Sequence, residues 1–193
     1  MRPSASSLGI PQFDRFTGGI SELITAHPDS NSQLFLDRAA DLMADLVRED
    51  NWLPDAYTVP HPQYYQQYCL HLDPDARFSV VSFVWGPGQA TPVHDHTIWG
   101  VIGMLRGCEH SQRYLINATG HPVPDGPLEV LAPGDTSVVS ARHGDIHQVM
   151  NAFSDQVSIS IHVYGGDIGT TKRHVYPLEG GPPKDFISGY SLP

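Results

Sequence analysis

Residues 78–116 read FSVVSFVWGPGQATPVHDHTIWGVIGMLRGCEHSQRYLI, and this stretch decides the fold. Three short runs rich in Val, Ile, Tyr and Phe (78–85, 99–105 and 110–116) are separated by turn chemistry such as Gly86-Pro87-Gly88. Each is too short for a helix and has the β-branched and aromatic content of a strand. The same texture continues on both sides, at 68–72 before it and at 128–131, 136–140, 148–152 and 157–164 after it. Asp73-Pro74-Asp75, Pro124-Asp125-Gly126 and Pro133-Gly134-Asp135 mark further turns. Strands about ten residues apart with no helix between them predict an antiparallel sandwich or barrel, and a jelly-roll barrel fits best.

Upstream the period changes. Leu36, Ala39, Ala40, Met43, Leu46 and Val47 recur at three- and four-residue steps, which predicts an amphipathic helix over 32–50. Asp29, Ser30, Asn31 and Ser32 are candidate N-caps, and Trp52-Leu53-Pro54 ends the helical region. A weaker helical pattern covers 10–26. The expected organisation is one domain over 1–193, with a helical cap at 1–60, a barrel carrying a metal site at 64–176, and a loosely packed tail at 180–193.

Composition narrows the function. The 193 residues carry 11 Lys+Arg against 21 Asp+Glu, a net charge of -10, and only 17% are charged. With no basic run, neither nucleic acid nor a membrane surface is an expected partner. No segment has the ~18 unbroken apolar residues of a span, and the first residues lack a signal-peptide core, so a cytoplasmic protein is expected. Cys69 and Cys108 are too few for a disulfide framework or a thiolate zinc site, and are expected to be small, buried or half-buried thiols. The 11 histidines are the notable excess, because imidazole is the commonest transition-metal ligand.

His94-Asp95-His96 places two imidazoles on one side of an extended segment, with Asp95 facing away. A third ligand is needed, and the stretch His143-Gly144-Asp145-Ile146-His147 offers two candidates. His147 follows a glycine turn and begins a strand that can lie beside His94 and His96; His143 sits within the turn, where solvation is expected. In Val157-Ser158-Ile159-Ser160-Ile161-His162-Val163-Tyr164, period-2 alternation puts Ser160, His162 and Tyr164 on one face. Buried there, each can supply the next with a hydrogen-bond partner.

These elements carry a resemblance. Gly88, five residues, His94-x-His96, three residues, Gly100, six residues and Gly107 resemble the first cupin motif, with Gly100 where a metal-binding Glu is usual. Gly144-x-x-His147-x-x-x-Asn151 resembles the end of the second, although its spacing from Gly134 is two residues longer. Together with Ser160-x-His162-x-Tyr164 they resemble the thiol dioxygenases of the cysteine dioxygenase family, over roughly residues 64–176. The resemblance implies a cupin barrel and one mononuclear Fe(2+) held by His94, His96 and His147. It also implies a Ser160–His162–Tyr164 relay, and a small thiol and O2 as substrates. In mammalian-type members a cysteine stands at the position of Gly100 and is joined to the tyrosine, so Tyr164 is expected to be an unmodified phenol.

Those members also grip the substrate carboxylate with an arginine before the first ligand. Here the stretch Tyr64-Tyr65-Gln66-Gln67-Tyr68 has none, and Gln67 matches that position. This is similar to the bacterial branch of 3-mercaptopropionate dioxygenases, in which another arginine, matching Arg173, lies near the pocket; a lone arginine beside Lys172 is otherwise an ordinary solvated charge. The expected reaction is conversion of a small carboxylated thiol, 3-mercaptopropionate, to its sulfinic acid. An authentic cysteine dioxygenase, a non-catalytic metal-binding cupin sensor and, more remotely, a zinc hydrolase are the alternatives.

Overall fold

The computed structural model describes residues 8–142 and 144–193. His143, the competing ligand candidate, lies outside the described residues. Two helices, α1 (Pro11–Ala26) and α2 (Gln33–Val47), precede eleven strands. They are β1 (Gln66–Leu72), β2 (Ser79–Trp85), β3 (Gly100–Arg106), β4 (Glu109–Ile116), β5 (Pro122–Pro124), β6 (Glu129–Leu131), β7 (Thr136–Val139), β8 (His147–Asn151), β9 (Ser158–Tyr164), β10 (Arg173–Val175) and β11 (Lys184–Phe186). Each of the eight runs expected to be strands is one. The three further strands are only three residues long, too short for a period to show.

One sheet has the order β1-β2-β9-β3-β7, a second is built on β4 with β5, β6 and β8, and β10 pairs with β11. The named strand pairs are all antiparallel, giving the mainly β cupin jelly roll that the sequence predicts. Every residue of β2 and β9 is buried, because the five-stranded sheet is covered on both faces. On the outer face Val80, Val84, Ile159, Ile161 and Val163 pack with Phe13, Phe16, Phe35, Leu36 and Met43 of the two helices. On the inner face Val81, Phe83, Trp85 and Tyr164 meet Val149 of β8. Strand alternation thus separates a dry helix-facing core from a polar interior layer.

Ser32 caps α2, its Oγ accepting from the Phe35 N–H at 3.3 Å. The helix ends at Val47 rather than Asp50, and its terminal carbonyls find other partners: Trp52 Nε1 and Gln12 Nε2 each donate to the Leu46 carbonyl at 3.0 Å. Where α2 crosses β3, a Cβ on Gly103 would lie 2.5 Å from Met43 Cγ and 2.9 Å from Val47 Cγ1, so the absent side chain permits the helix to seat.

The end of the chain departs from expectation. Residues 180–193 are not a loose tail: β11 pairs with β10, Ser191 N donates to the Gln67 carbonyl at 2.8 Å, and Tyr190 Oη donates to Asp167 at 2.6 Å. Lys184-Asp185-Phe186 contains one apolar residue, so no hydrophobic pattern announces the strand. Its stability comes from the partner strand.

Candidate metal centre

His94 and His147 belong to segments far apart in sequence that exchange two backbone hydrogen bonds, His94 N to His147 O and His147 N to His94 O, each 3.0 Å. On the other side Asp95 ties the same segment to β10: it accepts from His174 N, His174 Nδ1 and Tyr176 Oη, each at 2.8 Å. The strand-like alternation therefore holds, with Asp95 turned from the site and clamped while His94 and His96 face inward.

One ring nitrogen from each of His94, His96 and His147 lies within 4.8 Å of the others. All three residues are buried, and the other nitrogen of each ring is occupied. His94 Nδ1 donates to the Pro92 carbonyl at 3.0 Å, and His96 Nδ1 to Asp145 Oδ1 at 3.0 Å. His147 Nδ1 meets Ser111 Oγ at 3.2 Å. The carbonyl and the carboxylate place the proton of His94 and His96 on Nδ1, Ser111 can accept that of His147, and the Nε2 lone pairs are left for a metal, the outer support that metal-binding imidazoles need. Burial lowers the pKa of His94 to about 3, and that of His147 well below its usual value, with the neighbouring rings adding to the effect. Three neutral nitrogens with no carboxylate fit one divalent transition-metal ion.

Asp145 does more than orient a ring. Its Oδ1 also accepts from His96 N at 3.0 Å and its Oδ2 from Thr97 N at 2.9 Å. Thr97 has φ 61, a left-handed conformation that costs a β-branched residue about 1–3 kcal/mol. Burial works against the Asp145 charge, yet the bonds from His96 and Thr97 hold its carboxyl below the usual range.

Along the inner face of β9, Ser160 Oγ lies 2.8 Å from His162 Nε2, and His162 Nδ1 lies 2.8 Å from Tyr164 Oη. Burial keeps the His162 pKa well below normal and raises that of Tyr164, so imidazole and phenol are both neutral. Gly100 is the Cα partner of Tyr164, and a Cβ there would sit 2.8 Å from the Tyr164 ring.

A cavity of about 180 Å³ joins the three histidines to Tyr164, Gln67 and Arg173. Tyr65, Phe83, Trp85, Val149, Val175 and Phe186 form apolar walls. Arg173 is buried, with its guanidinium carbon 4.5 Å from the centre of the Phe186 ring. Its Nη2 donates to Ser188 Oγ at 2.7 Å, and its Nε has no partner. Its neighbour Lys172 points to solvent and pairs with Asp185. Gln67 lines the same cavity and is engaged behind it. Its Nε2 donates to Ser188 Oγ at 3.1 Å and to the Gly189 carbonyl at 3.0 Å, so both amide hydrogens hold the C-terminal segment.

The structure thus brings all eight sequence-identified residues to one region. It adds Ser111 and Asp145 behind the rings, Ser188 behind Arg173 and Glu109 behind Ser160. Asp145 was readable only as a polar residue inside a motif. Glu109 and Ser111 carry a better signal, two polar residues on the inward period of β4.

Among solved structures, the chain is similar to an uncharacterized conserved protein with a double-stranded beta-helix domain from Klebsiella pneumoniae. That match has 18% identity and a TM-score of 0.46, covering 58% of this chain and 80% of that one. A cupin superfamily protein from Desulfitobacterium hafniense matches at 16% identity and TM-score 0.45, covering 62% and 94%. A Cupin 2 conserved barrel domain protein from Salinispora arenicola matches at 21% and 0.42, covering 58% and 83%. The family model of cysteine dioxygenase type I matches residues 43–175, from the last five residues of α2 to the end of β10. With most of the chain matched, this protein belongs to the cysteine dioxygenase type I family, a family of thiol dioxygenases.

Proposed function

We propose that the protein converts a small carboxylated thiol lacking an amino group, 3-mercaptopropionate, to its sulfinic acid: R-SH + O2 gives R-SO2H. Four electrons leave sulfur and O2 accepts four, so no outside reductant enters. The observation that carries the choice of thiol is the cavity lining. Among the described residues, Arg173 is the one Lys or Arg that lines it and no Asp or Glu does. A carboxylate meets a buried guanidinium with Nε free, a charged and directional partner. The ammonium of cysteine would be taken from water with no carboxylate to receive it, which is costly.

Fe(II), held by the Nε2 atoms of His94, His96 and His147, would act as Lewis acid for the thiolate and supply the redox couple that makes O2 reactive. The remaining work falls to the chain. Ser188 and Phe186 hold the Arg173 fork in place, and Gln67 holds Ser188. Tyr164 keeps its proton at Oη for donation into the cavity, His162 aims the phenol, and Ser160 supports His162. Phe83, Trp85 and Val149 limit water around the reacting sulfur.

The test is O2 uptake by iron-loaded protein with 3-mercaptopropionate, cysteine and cysteamine in parallel. The expected order in kcat/KM has 3-mercaptopropionate first, and Arg173→Ala lowers that value about 10- to 100-fold, as loss of a hydrogen bond to a charged group does. Preference for cysteine would overturn the choice of thiol. No uptake with any thiol by iron-loaded protein would overturn the enzyme and favour a binding protein.

A further inference from the structure

Glu109 opens β4 and is 1% exposed, yet the reaction above gives it no role. The Ser160 hydroxyl and the Trp85 indole are the polar side chains that its carboxyl faces, and its Oε1 has no hydrogen-bond partner. Trp85 Nε1 also donates to Ser160 Oγ at 3.2 Å. Hydrogen bonds run from the cavity inwards through Tyr164, His162 and Ser160, and Glu109 lies beyond Ser160. A buried carboxyl with an unmet oxygen, at the closed end of such a path, calls for a physical account.

We propose that Glu109 is the proton store of this chain, and that its protonation state sets whether Tyr164 presents a hydrogen or a lone pair to the cavity. The effect on turnover rests on the thiol dioxygenase reading; the coupling between Glu109 and Tyr164 does not.

The hydrogens can be counted in both states. With Glu109 protonated, its O–H donates to Ser160 Oγ, the Ser160 O–H donates to His162 Nε2, and His162 Nδ1–H donates to Tyr164 Oη. The Tyr164 hydrogen is then free to point into the cavity. With Glu109 ionised, Ser160 donates to the carboxylate, His162 Nε2–H donates to Ser160, and Tyr164 donates to His162 Nδ1, leaving only lone pairs towards the cavity. Trp85, a donor in both states, is satisfied in both. Four short transfers connect them: Tyr164 releases its proton to the cavity, His162 replaces it from Nδ1, Ser160 reprotonates His162 at Nε2, and Glu109 reprotonates Ser160. One proton leaves the chain, and only Glu109 changes charge. His162 changes tautomer without becoming a cation, in keeping with its depressed pKa.

The surroundings leave Glu109 free to play this part. The side chains against it from β2 and β9 are the neutral Trp85 and Ser160, and its Cα partners on β6 and β8 are Leu131 and Asn151. The titratable groups that feel its charge are Cys108, next in the chain, and Tyr164. Burial raises its pKa from 4.5 to about 7, while Ser160 and Trp85 oppose the rise. Both states are then accessible near neutral pH.

Two readouts on the full chain test the proposal. In iron-loaded protein at saturating 3-mercaptopropionate, kcat falls about tenfold as pH rises through the Glu109 ionisation, the worth of one lost hydrogen bond. Glu109→Gln abolishes that step in the profile. Infrared titration without substrate shows a protonated carboxylic C=O band that is lost in Glu109→Gln. The Tyr164 C–O band, assigned by its loss in Tyr164→Phe, shifts with the same midpoint. In Ser160→Ala the carboxyl band remains and the Tyr164 band no longer follows it, which carries the test alone if Glu109→Gln does not fold. The proposal is overturned if the kcat step survives in Glu109→Gln, if the Tyr164 band ignores the ionisation of Glu109, or if it still follows it in Ser160→Ala. A protein without thiol oxidation would refute the proposed function, and the infrared titration would still decide the chain.

Discussion

Tyr164 stands between two groups with different demands, the cavity on one side and His162 on the other, and its ring fills the space that a side chain at Gly100 would take. Its phenol is close enough to the histidine cluster for its ring to stack on His96, centroids 5.5 Å apart, but it holds none of the three Nε2 atoms. Tyr164→Phe is therefore expected to retain iron at wild-type stoichiometry while kcat falls about tenfold or more; metal analysis and O2 uptake on one preparation check both. Gly100→Ala presses a methyl group against the same ring at 2.8 Å. It should cost about 1–3 kcal/mol in denaturant unfolding and slow turnover through displacement of the phenol. Wild-type stability in that variant would show that the ring has room to yield. The ligand histidines and the polar face of β9 were legible because spacing alone sets their direction. Asp145, Ser111 and Glu109 were not, since their roles depend on which distant strand each one faces.

Every strand of five to eight residues declared itself by composition, as did the shorter β6 and β7, and these carry most of the site. The missing elements are β5, β10 and β11, in which tertiary pairing rather than local pattern decides the conformation. That gap hid the specificity region. Arg173 opens β10, and the C-terminal segment reaches back through Ser188 to both Arg173 and Gln67. Gln67, which the sequence puts at the position of the family's carboxylate-gripping arginine, gives both amide hydrogens to the segment that also holds Arg173. Ser188→Ala removes the shared acceptor, and we expect KM for 3-mercaptopropionate to rise about three- to tenfold with kcat much less affected. An unchanged KM would mean that Phe186 alone fixes the guanidinium.

Across the whole molecule, the five-stranded sheet works as a partition. Its outer face is closed by α1 and α2, and its inner face meets the β4–β8 sheet around three buried histidines. Ligands drawn from β8 and from the segment preceding β3 converge only in the folded chain, so metal binding should stabilise the fold by mass action. At a hundredfold excess over Kd, about 2.7 kcal/mol is expected, a rise of about 5–10 °C in Tm for a chain of this size. Chelation should reverse it, and His147→Ala should abolish it. An equal rise in His147→Ala would place the metal elsewhere. The central claim is that this centre inserts both atoms of one O2 into a thiol. The measurement that tests it most directly is mass spectrometry of the product formed by iron-loaded protein from 3-mercaptopropionate under 18O2. The account predicts a sulfinate with both oxygens labelled; disulfide, unlabelled sulfinate or sulfinate with a single label would contradict it.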